Sequence, residues 1–286
     1  MPVLLSVFFG FIPMLFYAWF IYWLDRYEKE PSILLGGVFI WGAVFAAAAA
    51  FIINSLIGMG VYLFTESTAA TELTTGLLVA PIVEETLKGL SILVVFLVFR
   101  NEFDSVLDGI VYAAISALGF AATENAFYIY TYGYQQSGYG GMIWLIFVRV
   151  ILVGWQHPFY TAFTGIGLAM ARGSRNSLVK IVAPLGGFGL AIIVHALHNA
   201  IASMSGDSSG LVIGALYDWT GWFFMFLFIL WVTGRERRLL TLHLREEVTL
   251  GILSPAQYRI ACSAWSQGLA RFKALGSGRY RDTRQF

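Results

Sequence analysis

Glu84, Glu85 and Lys88 place two carboxylates and an ammonium inside a largely apolar run from Gly76 to Val98. One such residue at the centre of a membrane helix costs roughly 2.5–3.5 kcal/mol on insertion scales. Three within five positions persist only where water or partner side chains reach them. A glutamate held beside a second carboxylate in dry surroundings is a usable general base or acid near neutral pH. Later runs carry matching groups: Glu124 and Asn125, then Arg149 and His157, then His195, His198 and Asn199. Carboxylate and imidazole ligands suit zinc with a position left open for water, which makes Glu84, Glu124, His157 and His195 the candidate metal ligands. Asn199 is a candidate donor to a developing oxyanion. Water activated by a metal, or held by the glutamates alone, would attack an amide carbonyl; zinc is a possible cofactor and the residues leave both routes open.

Blander roles compete at each position. Glu84, Glu85 and Lys88 could be a structural ion pair that ties helices together. Asn125 reads as packing and hydrogen bonding. His157 precedes Pro158 and could bond only to a carbonyl freed by a kink. His198 reads as a supporting group, Arg149 as a counter-ion to a carboxylate, and His243 as a solvated side chain on the tail.

The elements that position these groups follow from composition. The 286 residues are 58% hydrophobic and 12% charged, with a mean hydropathy of +0.72. A soluble domain would carry about a quarter charged residues. The pattern predicts an all-α, polytopic membrane bundle. Net charge is +1, which supports no nucleic-acid partner. The one cysteine, Cys262, excludes an intrachain disulfide and a cysteine-based zinc site. Apolar runs long enough to span lie at about 3–24, 33–63, 77–99, 106–131, 142–171, 179–203 and 211–233. The first lacks a basic residue ahead of it and a small-residue cleavage site behind it, so it reads as a retained span. Pro158 predicts a kink just past the middle of the fifth. Residues 132–138 and 205–210 have turn chemistry.

Sixteen of the eighteen Lys and Arg residues follow the first, third, fifth and seventh spans; the other two are Lys88 and Arg149. The positive-inside rule then predicts an outer amino terminus and a cytoplasmic tail. With that orientation Glu84, Glu124 and His195 each lie seven or eight residues below the outer ends of their spans, roughly 10 Å, with His157 deeper. Glu84 and Lys88 share a face at i and i+4, and His195, His198 and Asn199 form one stripe. Residues 1–233 form the predicted transmembrane catalytic domain. Residues 234–286 form a helical tail: an amphipathic helix over 235–248, then a second begun by Ser254-Pro255 and running to about Leu275, with the last ten residues frayed.

Two decoys are set aside. Gly206-Asp207-Ser208-Ser209-Gly210 resembles a serine-protease signature but has no base nearby in sequence. Asp108 in Leu107-Asp108-Gly109 reads as a first-turn acid favoured by the helix dipole.

Glu84-Glu85-x-x-Lys88, Phe120-x-x-x-Glu124-Asn125, a single histidine on the next span and His195-x-x-x-Asn199 resemble, in this order, the PrsW family of intramembrane proteases. That family is related to the CAAX prenyl endopeptidases and the bacteriocin-immunity proteins. The segment Leu24-Asp25-Arg26-Tyr27-Glu28-Lys29-Glu30-Pro31 is similar to the family's first loop, and the match covers about residues 20–200. CAAX endopeptidases have histidine where this chain has Glu124 and arginine where it has Lys88. The resemblance implies cleavage of a membrane-anchored protein, of the anti-sigma-factor type, and the shared depth of Glu84, Glu124 and His195 predicts that it occurs near the outer face. It assigns catalysis to Glu84, Glu85, Glu124, His157 and His195, with Asn199 supporting. The competing class is a non-enzymatic proton-coupled carrier or membrane scaffold using the same groups as a relay.

Overall fold

The computed structural model describes residues 1–25, 27, 29–203 and 208–278. Of the predicted turn 205–210 and the serine-protease decoy 206–210, residues 205–207 lie outside the described residues, while residues 208–210 begin a helix rather than a turn. Arg26 and Glu28 of the first loop and most of the last ten residues also lie outside the described residues.

The described residues form helices joined by short turns, with no strand among them. Five stretches are long and apolar enough to cross a membrane: Pro2–Leu24, Ser32–Thr65, Val106–Gly173, Ser177–Ser203 and Gly210–Thr249. The first is α1 (Pro2–Leu24). The second joins α2 (Ser32–Ile40) to α3 (Ala47–Thr65) through a π-helical turn. Next come α4 (Thr68–Thr74), a π turn, and α5 (Ala80–Val98), an otherwise apolar helix that carries Glu84, Glu85 and Lys88. The π turn at Thr75–Val79 abuts Pro81. Proline lacks an N–H, so the carbonyl four residues back is left without its usual donor and the ladder resets.

The long third stretch is α6 (Val106–Tyr128), a π turn, α7 (Gln135–Ile146), a second π turn, and α8 (Gln156–Gly173). Asp108 and Ser105 make a reciprocal capping box that starts α6. Within α7, Ser137 and Gly138 leave helical geometry, Gly138 with φ 61°, and there the chain doubles back. Arg149 then meets Asn125, His157 meets Glu124, and Gly165 lies against Gly109. These pairs run in opposite chain order, so α7 and α8 together form one return pass against α6.

That pass differs from the predicted fifth span in two ways. It is two rods, giving eight long helices among the described residues where seven were expected. The break falls at Val153–Trp155, ahead of Pro158. Pro158 sits in the first turn of α8, where a missing N–H leaves no internal bond unmade.

α9 (Ser177–Ser203) packs antiparallel on α8, with Gly187 against Phe163 and Gly167 against Ala183. α10 is one helix, Ser208–Thr249, so no helix end falls at the predicted 233/234 boundary. The second tail helix differs from the prediction. Ser254 caps α11 (Pro255–Ala261), but Cys262 and Ser263 interrupt it, and Ser263 caps α12 (Ala264–Gly276). Residues Met1–Leu24 and Glu30–Phe226 make one compact unit; Asp25–Lys29 and Leu227–Phe286 make another.

α6 is the central helix of the first unit, buried along almost its whole length from Leu107 to Ala122. Contact between α6 and α8 depends on Gly109 and Gly165, because a Cβ on either would collide with the other's carbonyl oxygen. Overpacking a tight core costs about 1–3 kcal/mol or more. Gly165→Leu is therefore expected to cut the yield of monodisperse protein in detergent, read by size-exclusion chromatography. An unchanged elution profile and unfolding midpoint would show that the contact is not needed.

Candidate active site

α5 presents Glu84, Glu85 and Lys88, all buried, toward α6, α8 and α9. Lys88 is fully buried and chooses among its neighbours. Its Nζ donates to Glu85 Oε1 at 2.6 Å, while Glu84 Oε2 lies at 3.9 Å. It also donates to His157 Nδ1 at 3.2 Å and sits 4.6 Å from the centroid of the Phe120 ring.

Glu85 is fully satisfied. Oε1 accepts from Lys88 and from His195 Nδ1 at 2.9 Å, and Oε2 accepts from Thr161 Oγ1 at 2.8 Å. One carboxylate thus joins α5, α8 and α9. Glu84 is the contrast: its Oε2 is buried with no hydrogen-bond partner. Lys88 Nζ and His195 Nε2 both lie 3.9 Å from it.

Partners assign the histidine tautomers. An ammonium cannot accept, so His157 Nδ1 must, and its Nε2–H then donates to Glu124 Oε2 at 2.9 Å. His195 donates Nδ1–H to Glu85, which turns Nε2 toward Glu84. The His195 ring stacks on Tyr160, with centroids 5.0 Å apart, and stands edge-on to His157 at 5.3 Å.

Glu124 joins the cluster through His157 and is held by Arg149, whose Nη2 donates to Oε2 at 2.5 Å. Arg149 Nε donates to Asn125 Oδ1 at 2.9 Å, and the guanidinium lies 3.9 Å over the Tyr128 ring. If the histidines are neutral, three carboxylates face two cations. One negative charge is left in a dry bundle for a proton or a metal ion to balance.

Of the four expected metal ligands, Glu84, His157 and His195 offer atoms that all lie within 4.8 Å of one another. Glu124 stands outside that group, because Arg149 and His157 hold its carboxylate. Asn199 is turned away from the expected oxyanion role: its Nδ2 donates to the Gly76 carbonyl at 2.8 Å, pinning α9 to the π turn before α5. His198 belongs to a neighbouring network, with Nδ1 2.9 Å from Asp218 Oδ2.

Three contributors escaped the sequence reading. Thr161 and Tyr160 carry no charge to mark them, although they lie one turn past His157. Asp218 was visible: it is an acid inside an apolar run, the same signal that marked Glu84. It is almost fully buried and accepts from Tyr160 Oη at 2.8 Å. A cavity of about 240 Å³ beside it is bounded by Val153, Trp155, Gln156, Asp218 and Trp219, at the break between α7 and α8.

The family described as "PrsW family intramembrane metalloprotease" matches residues 30–232. The chain is 36% identical to Protease PrsW of Clostridioides difficile over 121 residues, which is 42% of this chain and 48% of that protein. It is 26% identical to Protease PrsW of Bacillus subtilis over 229 residues, 80% of this chain and 91% of that one. With Protease PrsW of Geobacillus kaustophilus it shares 28% over 154 residues, 54% of this chain and 60% of that protein. The match thus spans about half of the first relative and most of the second. No solved structure matches the chain.

Proposed function

This chain belongs to the PrsW family of intramembrane metalloproteases, and from that premise we propose that it hydrolyses a peptide bond of a membrane-anchored protein within the α5–α6–α8–α9 cluster. The observation that carries the reading is the inequality of the paired glutamates. Glu85 has every oxygen engaged, whereas Glu84 Oε2 is buried, unpartnered and turned toward His195 Nε2.

On the glutamate-only route, with no ion held, Glu84 is the general base. It takes a proton from water as the water oxygen bonds to the scissile carbonyl carbon. The same proton passes to the leaving nitrogen as the C–N bond breaks, so the carboxylate is regenerated. Glu85 positions His195 and Lys88 and stays ionised. Glu124 orients His157 through Nε2–H, with Arg149 balancing its charge.

The donor set fits a divalent ion. Glu84 offers an orphaned oxygen, and His195 has its Nδ1 already committed to a carboxylate, the arrangement that steadies a metal-binding imidazole. Glu84, His195 and His157 would hold the ion, the last after Lys88 releases Nδ1. Bound there, it would supply Lewis-acid polarisation of the scissile carbonyl. Purified protein is expected to contain about one equivalent of zinc, lost in His195→Ala. Less than about a tenth of an equivalent, with cleavage intact in chelator, would leave the glutamates as the sole activators of water.

An anti-sigma-factor-like substrate and the wider kinship with CAAX endopeptidases are what the sequence motifs imply, and they are part of the same proposal. So is the orientation, with an outer amino terminus and a cytoplasmic tail, which rests on the distribution of basic residues. The test is reconstitution of the full chain in proteoliposomes with a membrane-anchored reporter. Cleavage is the expected result. Proton-driven uptake without cleavage would return the cluster to the carrier reading.

A further inference from the structure

Away from the glutamate cluster, three cations from three helix ends border one cavity. Arg100 follows the end of α5, Arg172 lies in the last turn of α8, and Lys180 lies in the first turn of α9. They line a cavity of about 340 Å³ with Phe96, Leu97 and Ala171, and no carboxylate lines it.

Arg172 is the fixed member. Its Nη2 donates to the Phe96 carbonyl, and the guanidinium lies 4.4 Å over the Phe96 ring. Its Nε is buried with no hydrogen-bond partner. A guanidinium and an ammonium have donors only, so Arg172, Arg100 and Lys180 bring the cavity three side chains that donate and none that accepts. Arg100 is partly spent, with Nε on the Leu97 carbonyl at 3.2 Å. Its remaining donors and the exposed Lys180 ammonium are available. Asp104 feels the Arg172 charge but does not line the cavity. Burial and the Asp108 carboxylate raise its pKa, while Arg172 pulls the other way.

The ligand must therefore be an anion with several acceptor oxygens. The walls say more. Leu97, Leu178 and Ile181, on the same helix ends, are exposed apolar side chains. The cavity thus opens onto surface suited to acyl chains, at the level where spanning helices end. Basic pockets between helices at that level hold anionic headgroups. We propose that this cavity binds the phosphate of an anionic phospholipid. Arg172 donates from the floor, and Arg100 and Lys180 close on the headgroup from the two flanking helices.

The test uses the full purified chain in detergent, titrated with phosphatidylglycerol, with phosphatidylcholine and with inorganic phosphate. Bound lipid is counted by native mass spectrometry. Phosphatidylglycerol is expected to bind more tightly than phosphatidylcholine. Arg100→Gln with Lys180→Gln is expected to weaken it roughly thirtyfold, since each surface cation contributes about a factor of five. Both side chains are exposed, so folding is not at stake, and Arg172 is left in place. The control variant, Arg235→Gln with Arg238→Gln, removes the same charge from the tail and is expected to bind normally. Equal loss in the control would make the effect one of net charge and overturn the site. Equal affinity for the two lipids would overturn it too. Saturation by inorganic phosphate that displaces phosphatidylglycerol would reassign the cavity to a soluble phosphate ligand.

Discussion

Glu84→Gln is expected to lower cleavage of a membrane-anchored reporter by about a hundredfold to ten-thousandfold, the range for loss of a positioned base, without loss of the fold. Glutamine keeps the volume but cannot take a proton. It also removes the one carboxylate for which the cluster has no counter-charge. The unfolding midpoint should therefore hold or rise. Glu85→Gln is expected to lower cleavage as well, for a different reason. Its carboxylate accepts from Lys88, His195 and Thr161. An amide there leaves a buried ammonium facing a neutral group and turns one N–H toward existing donors. Loss of activity and loss of stability should then travel together. Cleavage rates with purified variants, paired with thermal unfolding in detergent, separate the two. Wild-type rates in both variants would remove the catalytic assignment. A stable Glu85→Gln beside an unstable Glu84→Gln would exchange the two roles.

Lys88→Met is expected to destabilise the protein by about 3–5 kcal/mol, the cost of stranding a buried charge by removing its partner. Lys88 and Glu85 are both fully buried and lie 2.6 Å apart, so neither can turn to water. The same substitution takes a donor from His157 Nδ1 and frees that imidazole from its tautomer. Arginine is not expected to rescue the site, because a wider planar group must fit where Phe120 already touches the ammonium. A double-mutant cycle with Glu85→Gln checks the assignment: residues in one network couple by about 0.5–3 kcal/mol, so the second change should cost much less once the first is made. Additive losses, or an unchanged midpoint in Lys88→Met, would show that the pair is not the anchor it looks to be.

Composition and apolar runs were enough to identify an all-helical chain able to cross a membrane several times, and to identify which runs bear ionisable groups. Those features are local: a run of apolar residues, a Ser105–Asp108 cap and a Ser254-Pro255 start each act through neighbours a few positions away. Pairing was beyond their reach. Lys88 is i+4 to Glu84 and i+3 to Glu85, and spacing favours both; the positions of His157 and His195 on α8 and α9 decide for Glu85. Glu124 looked equivalent to Glu84 by depth, yet Arg149 claims it from a return helix whose register depends on a turn at Gly138 and a break at Val153–Trp155. Asn199 was aimed at the site by its stripe with His195 and instead closes on the Gly76 carbonyl.

The physical reason lies in the helices themselves. Among the described residues four π turns interrupt the long helices, at Trp41–Ala46, Thr75–Val79, Ile129–Tyr134 and Phe147–Leu152. Such turns insert a residue into the α-helical repeat, which rotates every later side chain by about 100° about the axis. Sequence alone determined that carboxylates, imidazoles and two cations had to find one another inside an apolar chain, because none could be left alone there. Tertiary structure alone decided which carboxylate is saturated and which is left open, because that turns on rotations and ångström-scale differences in distance among four helices, not on the order of residues along any one of them.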